Sequence, residues 1–237
     1  MGFLLDTVHL NHFQSQSGHE DPLERISVLE ALEARGDRKM LISQASHLLK
    51  DPDAGVRLRA GELLASAGGA DAAAAAAELL ESEVSFIRDA AVGALAGMGK
   101  TAVQPTARCL EHPRSYVRIA ALRVIAMIPA RSALDSVAAL LGDPDIEVVL
   151  AAVRTLGQHH AVDYLPDLRI VYRRVPASRL DVIEVLRLIG AHEGLDLLEI
   201  ALKQDDPGIR RAAVEAIRSI DSPRARRLLS DNTQAMS

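Results

Sequence analysis

The sequence predicts an all-α fold, a right-handed α–α superhelix of about seven helix pairs, and three observations carry that expectation. A short motif recurs: Val56-Arg57, Ile87-Arg88, Val117-Arg118, Val148-Val149, Ser178-Arg179 and Ile209-Arg210 fall at intervals of 31, 30, 31, 30 and 31 residues, with Arg25 placed 32 before Arg57. A fixed period of that size marks one supersecondary unit repeated, each copy burying its apolar face against its neighbours. Downstream of the Val position, residues at +4, +7, +8 and +11 are mostly apolar, as in Ala60, Leu63, Leu64 and Ala67 or Ala121, Val124, Ile125 and Ile128. That spacing is one face of an α-helix. Finally, hydrophobic residues make up 49% of the 237 while aromatics make up 3%, so the core is built of Ala, Leu, Val and Ile, which suits closely packed helices.

Each period resolves into the same succession of elements. Asp51-Pro52, Asp143-Pro144 and Asp206-Pro207 precede the motif helices, supplying an Asp to accept orphan amide hydrogen bonds and a Pro whose φ already suits a first turn. Gly68, Gly99 and Gly190 follow them, where a left-handed cap is expected. A second apolar segment such as "VQPTARCLEH" or "LDSVAALLGD" completes the pair. The solenoid is expected to occupy residues 20–230 as a single domain, with residues 1–19 an amino-terminal arm or cap and 231–237 a disordered tail. Phe3, Leu4, Leu5, Val8, Leu10 and Phe13 give that arm its apolar character.

The pattern DP-x-x-x-VR-x-x-A, most complete around Asp51, Val56, Arg57 and Ala60, resembles the HEAT repeat and in particular the short HEAT-like type named after phycobilisome lyases. The resemblance spans most of the chain. It implies a concave face lined by the second helix of each pair and a polar ladder between repeats formed by the turn Asp and the helix Arg. Asp51 and Arg57 keep the family's spacing, whereas Ser82 and His112 replace the Asp in the next two copies and Val149 interrupts the Arg column. Such repeats serve many binding tasks, so the likeness specifies fold more than function.

Composition narrows the function classes. A net charge of −5 argues against an electrostatic nucleic-acid binder. No apolar run reaches the ~18 residues of a membrane span, and "MGFLLDTVHL" lacks both a basic n-region and a myristoylation signal. Cys109 stands alone, which fits a reducing compartment and a cytoplasmic protein.

Several motifs suggest chemistry and lose it on inspection. Gly99-Lys100-Thr101 ends like a phosphate-binding loop, but Ala94 stands where the motif needs glycine and the repeat phase puts Ala94 to Met98 inside a helix. His160, His192 and Glu193 could converge on one edge as weak metal candidates, though no ligand pair sits at i, i+4 on one helix. His-Glu pairs resemble those of HEAT-repeat deoxyhypusine hydroxylases, which use four such pairs; only His19-Glu20 and His192-Glu193 occur here. No catalytic constellation assembles from the helix phases, so no cofactor and no enzymatic activity are expected.

The more promising pattern lies at +2, +6 and +9 of the motif helices, positions turned away from the packed stripe. Ile119, Leu150 and Leu180 recur at +2, Arg123 and Arg154 at +6, and Phe86 and Tyr116 begin two neighbouring helices. Aliphatic and aromatic anchors bordered by Arg predict a noncatalytic scaffold or adaptor that takes a partner protein's helix or extended peptide on the concave face. The competing expectation is that the +2 residues are buried between adjacent helices. A bilin lyase-like chromophore-handling protein and a metal-dependent enzyme on a HEAT scaffold are the alternatives.

Overall fold

Capping chemistry and apolar periodicity place the helices, and the computed structural model describes them for residues 21–235, so the arm or cap expected at 1–19 lies outside the described residues. In chain order they are α1 (Pro22–Arg35), α2 (Arg38–Leu48), α3 (Ala54–Ala67), α4 (Gly69–Glu78), α5 (Ser85–Met98) and α6 (Val103–Cys109). They continue with α7 (Ser115–Met127), α8 (Leu134–Ala139), α9 (Ile146–Gln158), α10 (Leu165–Arg174), α11 (Arg179–Ile189), α12 (Leu195–Leu202), α13 (Pro207–Arg218) and α14 (Pro223–Ala235). Among the described residues there is no strand. The fold is an all-α repeat solenoid, with the recurrent motif on α1, α3, α5, α7, α9, α11 and α13.

The chain divides into two compact units, Met1–Pro113 and Arg114–Ser237. In the first unit α1 packs on α3 and α3 on α5, while α2 packs on α4 and α4 on α6. In the second, α7, α9, α11 and α13 form a corresponding series, and α12 packs on α14. The predicted stripe is the core of both: Val56, Ala60, Leu63 and Leu64 are buried in one unit and Ala121, Val124, Ile125 and Ile128 in the other. Each buried Val, Leu or Ile side chain contributes about 1.5–3 kcal/mol relative to exposure. Alanine does the complementary work on α4, where Ala72, Ala73, Ala76 and Ala77 are buried and let the helix approach its neighbours closely.

Helix starts depart from expectation at two of three turns. Asp206 caps α13, accepting from the amides of Gly208 and Ile209 with Pro207 in the first turn. Asp51 and Asp143 do not cap their helices; Asp53 and Asp145 do, two residues later. Asp51 and Asp143 instead accept the amides of Asp53 and Asp145, at 2.9 Å each, so their prolines sit in the turn before the helix. The Asp-Pro pair is thus a turn device at these positions.

At the helix ends, Gly190 takes the left-handed cap expected of it, with φ 66° and ψ 14°. Gly68 and Gly99 also have positive φ, but their ψ values of −167° and −128° send the chain out extended. The last helix, α14, runs through residues 231–235, part of the segment expected to be a disordered tail.

Candidate functional site

The arginine column follows a rule set by the next turn. Where the following turn offers a carboxylate or side-chain amide oxygen, the arginine crosses to it. Arg25 reaches Asp51 through two bonds of 2.8 and 2.9 Å, Arg118 reaches Asp143 at 2.8 Å, and Arg179 reaches the Gln204 amide oxygen at 3.3 Å. Arg57 and Arg88, whose following turns carry Ser82 and His112, donate to backbone carbonyls of their own turns. Arg210 does the same to Gln204 and Asp205. Bonds between successive repeats are thus made at 25, 118 and 179, while Arg57, Arg88 and Arg210 each staple the backbone of their own turn. Val149 is buried where the column is interrupted.

The +2 row of the second unit divides by residue. Leu180 is 54% exposed and Ile119 is half-buried, but Leu150 is only 9% exposed. Leu150 lies on α9, which packs against both α7 and α11, so neighbours on two sides cover it and the expectation of a solvent-facing side chain there does not hold. Arg123 is exposed. Arg154 is tied to Asp181, with Nε donating to Oδ1 at 2.7 Å, and this bond raises the pKa of its guanidinium. Tyr116 is half-buried, its hydroxyl accepting from Arg114 at 2.7 Å. Phe86, in the first unit, is 41% exposed and carries the Arg57 guanidinium 4.6 Å above its ring.

Phe86 also opens a feature that sequence reasoning missed. Between α3 and α5 runs a groove of about 410 Å³. It is lined by Leu58, 66% exposed, and Phe86, by the small residues Gly61, Ala90, Gly93 and Ala94, and by the charged Arg57, Glu62 and Asp89. The available signal was a glycine, Gly93, at a motif position that elsewhere holds a charged side chain.

The other candidates resolve locally. Ala94 to Met98 lie in α5, and Gly99–Ala102 form a 3-10 turn, so the lysine and threonine there belong to a helix end. His159 bonds the Ile125 carbonyl at 2.7 Å, His160 has φ 48°, and the exposed His192 approaches only its neighbour Glu193, at 3.4 Å. Among the described residues no three His, Cys, Asp or Glu side chains are arranged to hold a metal ion. Burial raises the pKa of the Cys109 thiol, the opposite of what an activated nucleophile needs. Among the described residues no helix is long and apolar enough to cross a membrane.

A family model described as HEAT repeats matches residues 11–96 and 103–187. A comparison with curated proteins returned no match. Among solved structures, an engineered protein is 19% identical, with 76% of this chain and 98% of that chain covered and a TM-score of 0.48. The complex of CpcE and CpcF of phycocyanin lyase from Nostoc sp. is 19% identical over 94% of this chain and 92% of that chain, with a TM-score of 0.44. Escherichia coli YibA is 18% identical over 90% of this chain and 82% of that chain, with a TM-score of 0.46.

Proposed function

Because the chain belongs to the HEAT-repeat family, we propose that it is a noncatalytic scaffold whose motif helices hold a helix or extended peptide of another protein. One observation carries this reading: large apolar side chains stand exposed on the motif helices of both units, Leu58 and Phe86 in the first and Leu180 in the second. A lone exposed aliphatic is ordinary, but Leu58 and Leu180 recur at the +2 position of their helices, and Phe86 stands three positions before +2 on its own, which is the kind of clustering a binding face requires. Within the second unit, the half-buried Tyr116 and Ile119 and the exposed Arg123 on α7 belong to the same reading. Arg154 supports it by holding Asp181, the residue after Leu180. The solitary Cys109 suits a reducing, cytoplasmic setting.

Leu180→Asp tests the proposal on a side chain that the core does not use. Crosslinked pull-down should show partner capture weakened by about 2 kcal/mol or more, as for a hot-spot residue, with the melting temperature nearly unchanged. Unchanged capture by that variant would remove Leu180 from the face. Tetrapyrrole absorbance that co-purifies with the chain would replace the scaffold reading with chromophore handling.

A further inference from the structure

The +2 and +9 positions of a motif helix lie two turns apart on one face. In the second unit +2 holds Ile119, Leu150 and Leu180 and then Arg211, while +9 holds Ala126, Gly157 and Arg187 and then Arg218. The aliphatic row at +2 therefore gives way on α13 to an arginine, with a second arginine about 10 Å further along the same face. Both are exposed. α13 packs directly on α11, which carries the exposed Leu180 at the same phase as Arg211.

Most arginines of this unit are already engaged within it. On the helices around α13, Arg154 pairs with Asp181, Arg187 with Glu184 and Arg224 with Asp196. Among the described residues, Arg211 and Arg218 make no hydrogen bond and no ion pair. Glu215 stands between them at +6, one turn from each, where closing a pair would favour the helix, but it pairs with neither. Its charge is felt instead on α11: the bond from Glu184 raises the pKa of the Arg187 guanidinium, and Glu215 adds to that rise. Two positive charges beside an exposed leucine are thus left uncompensated by the fold.

We propose that the α11–α13 end of the motif-helix face binds an acidic amphipathic helix of a partner protein, with an apolar side chain on Leu180 and carboxylates on Arg211 and Arg218. A guanidinium takes a carboxylate through two parallel bonds, so each arginine selects Asp or Glu over a neutral side chain. Carboxylates two turns apart on the partner helix match the spacing of the two arginines. A cationic segment would meet like charge at both and is selected against. The chain's net charge of −5 and the exposed Leu180 favour an acidic peptide over a nucleic-acid strand. The proposal rests on the scaffold reading and specifies the partner's chemistry for the second unit.

The test uses the full chain and three labelled probes: an amphipathic Glu–Leu peptide of about 14 residues with glutamates two turns apart, a Lys–Leu peptide of the same pattern, and an oligothymidylate. Fluorescence anisotropy should show the Glu–Leu peptide binding at least about tenfold tighter than either other probe, with affinity falling as salt rises. Arg211→Gln combined with Arg218→Gln should weaken that binding at least about tenfold and flatten its salt dependence, with the melting temperature nearly unchanged because neither side chain has a partner to lose. Arg173→Gln, at an exposed arginine on α10, should leave the binding as it was. Equal binding of the Lys–Leu peptide, tighter binding of the oligothymidylate, or Glu–Leu binding indifferent to the double arginine variant overturns the proposal. Leu180→Asp separates the two readings: partner capture lost in that variant but retained by the double arginine variant would uphold the scaffold while the acidic-partner inference fails.

Discussion

Asp143 and Arg118 belong to successive repeats, and their side chains retain only 5% and 10% exposure where they meet at 2.8 Å. A buried pair contributes little over an apolar one, but breaking it strands a charge. Asp143→Ala should therefore destabilise the protein by about 3 kcal/mol in chemical denaturation, whereas Glu184→Gln, at the exposed pair with Arg187, should leave stability nearly unchanged. Asp71 gives a pH signature. The Arg38 guanidinium, donating to it at 2.7 Å, holds its carboxyl down to about 2, well below the ordinary range. Since the folded-state value is the lower one, the contribution is complete above the ordinary carboxylate pKa and is lost as pH falls towards 2. Carboxyl NMR titration should find that depressed value, and Arg38→Ala should return it to the ordinary range. The Arg column was visible in the sequence as a column, but its two behaviours depend on which acceptor the next turn brings alongside.

Among helices, two glycines carry opposite expectations. Gly157 lies on α9, where a Cβ would fall 2.6 Å from Val185 Cγ2 on α11. The valine is stiff at χ1 and cannot swing away, so Gly157→Ala should cost about 1–3 kcal/mol in spite of alanine's better helix propensity. Gly93→Ala, on the open side of α5, should instead stabilise by up to about 1 kcal/mol. Thermal melts of the two variants should move in opposite directions. The same comparison shows what could be read beforehand. Gly190 as a left-handed cap and the helix containing Ala94 to Met98 follow from local chemistry. The two-residue offset of the caps at Asp53 and Asp145 does not, because Asp51 and Asp143 are drawn to arginines 26 and 25 residues earlier.

For the molecule as a whole, stability is a sum over neighbouring repeats, so damage in one repeat spreads first to those packed on it. Leu150→Asp places a charge at a covered position of α9 and should unfold that region. Hydrogen exchange should show protection lost first in α9 and in α7 and α11, the two helices packed against it. Leu180→Asp, at the same phase of the next motif helix, should leave the exchange pattern unaltered. Exposed apolar side chains on the motif helices are accordingly fewer than a continuous row would give: Leu180 is exposed and Ile119 half-buried in the second unit, and Leu58 and Phe86 are exposed in the first.

The sequence by itself determined the repeat, its period of 30–31 residues, the helical type of each segment and the stripe that forms the core. These are local properties: turn residues and apolar spacing act within one unit of chain, and each copy repeats the message. Tertiary structure alone decided which residues of one phase are covered. Leu58, Ile119, Leu150 and Leu180 share the +2 position yet range from largely exposed to buried, because accessibility depends on the side chains that flanking helices present. The groove arises in the same way. Gly93 can be read in the sequence as an absence, but the groove beside it exists only because Leu58 and Phe86, on two packed helices, flank the space it leaves.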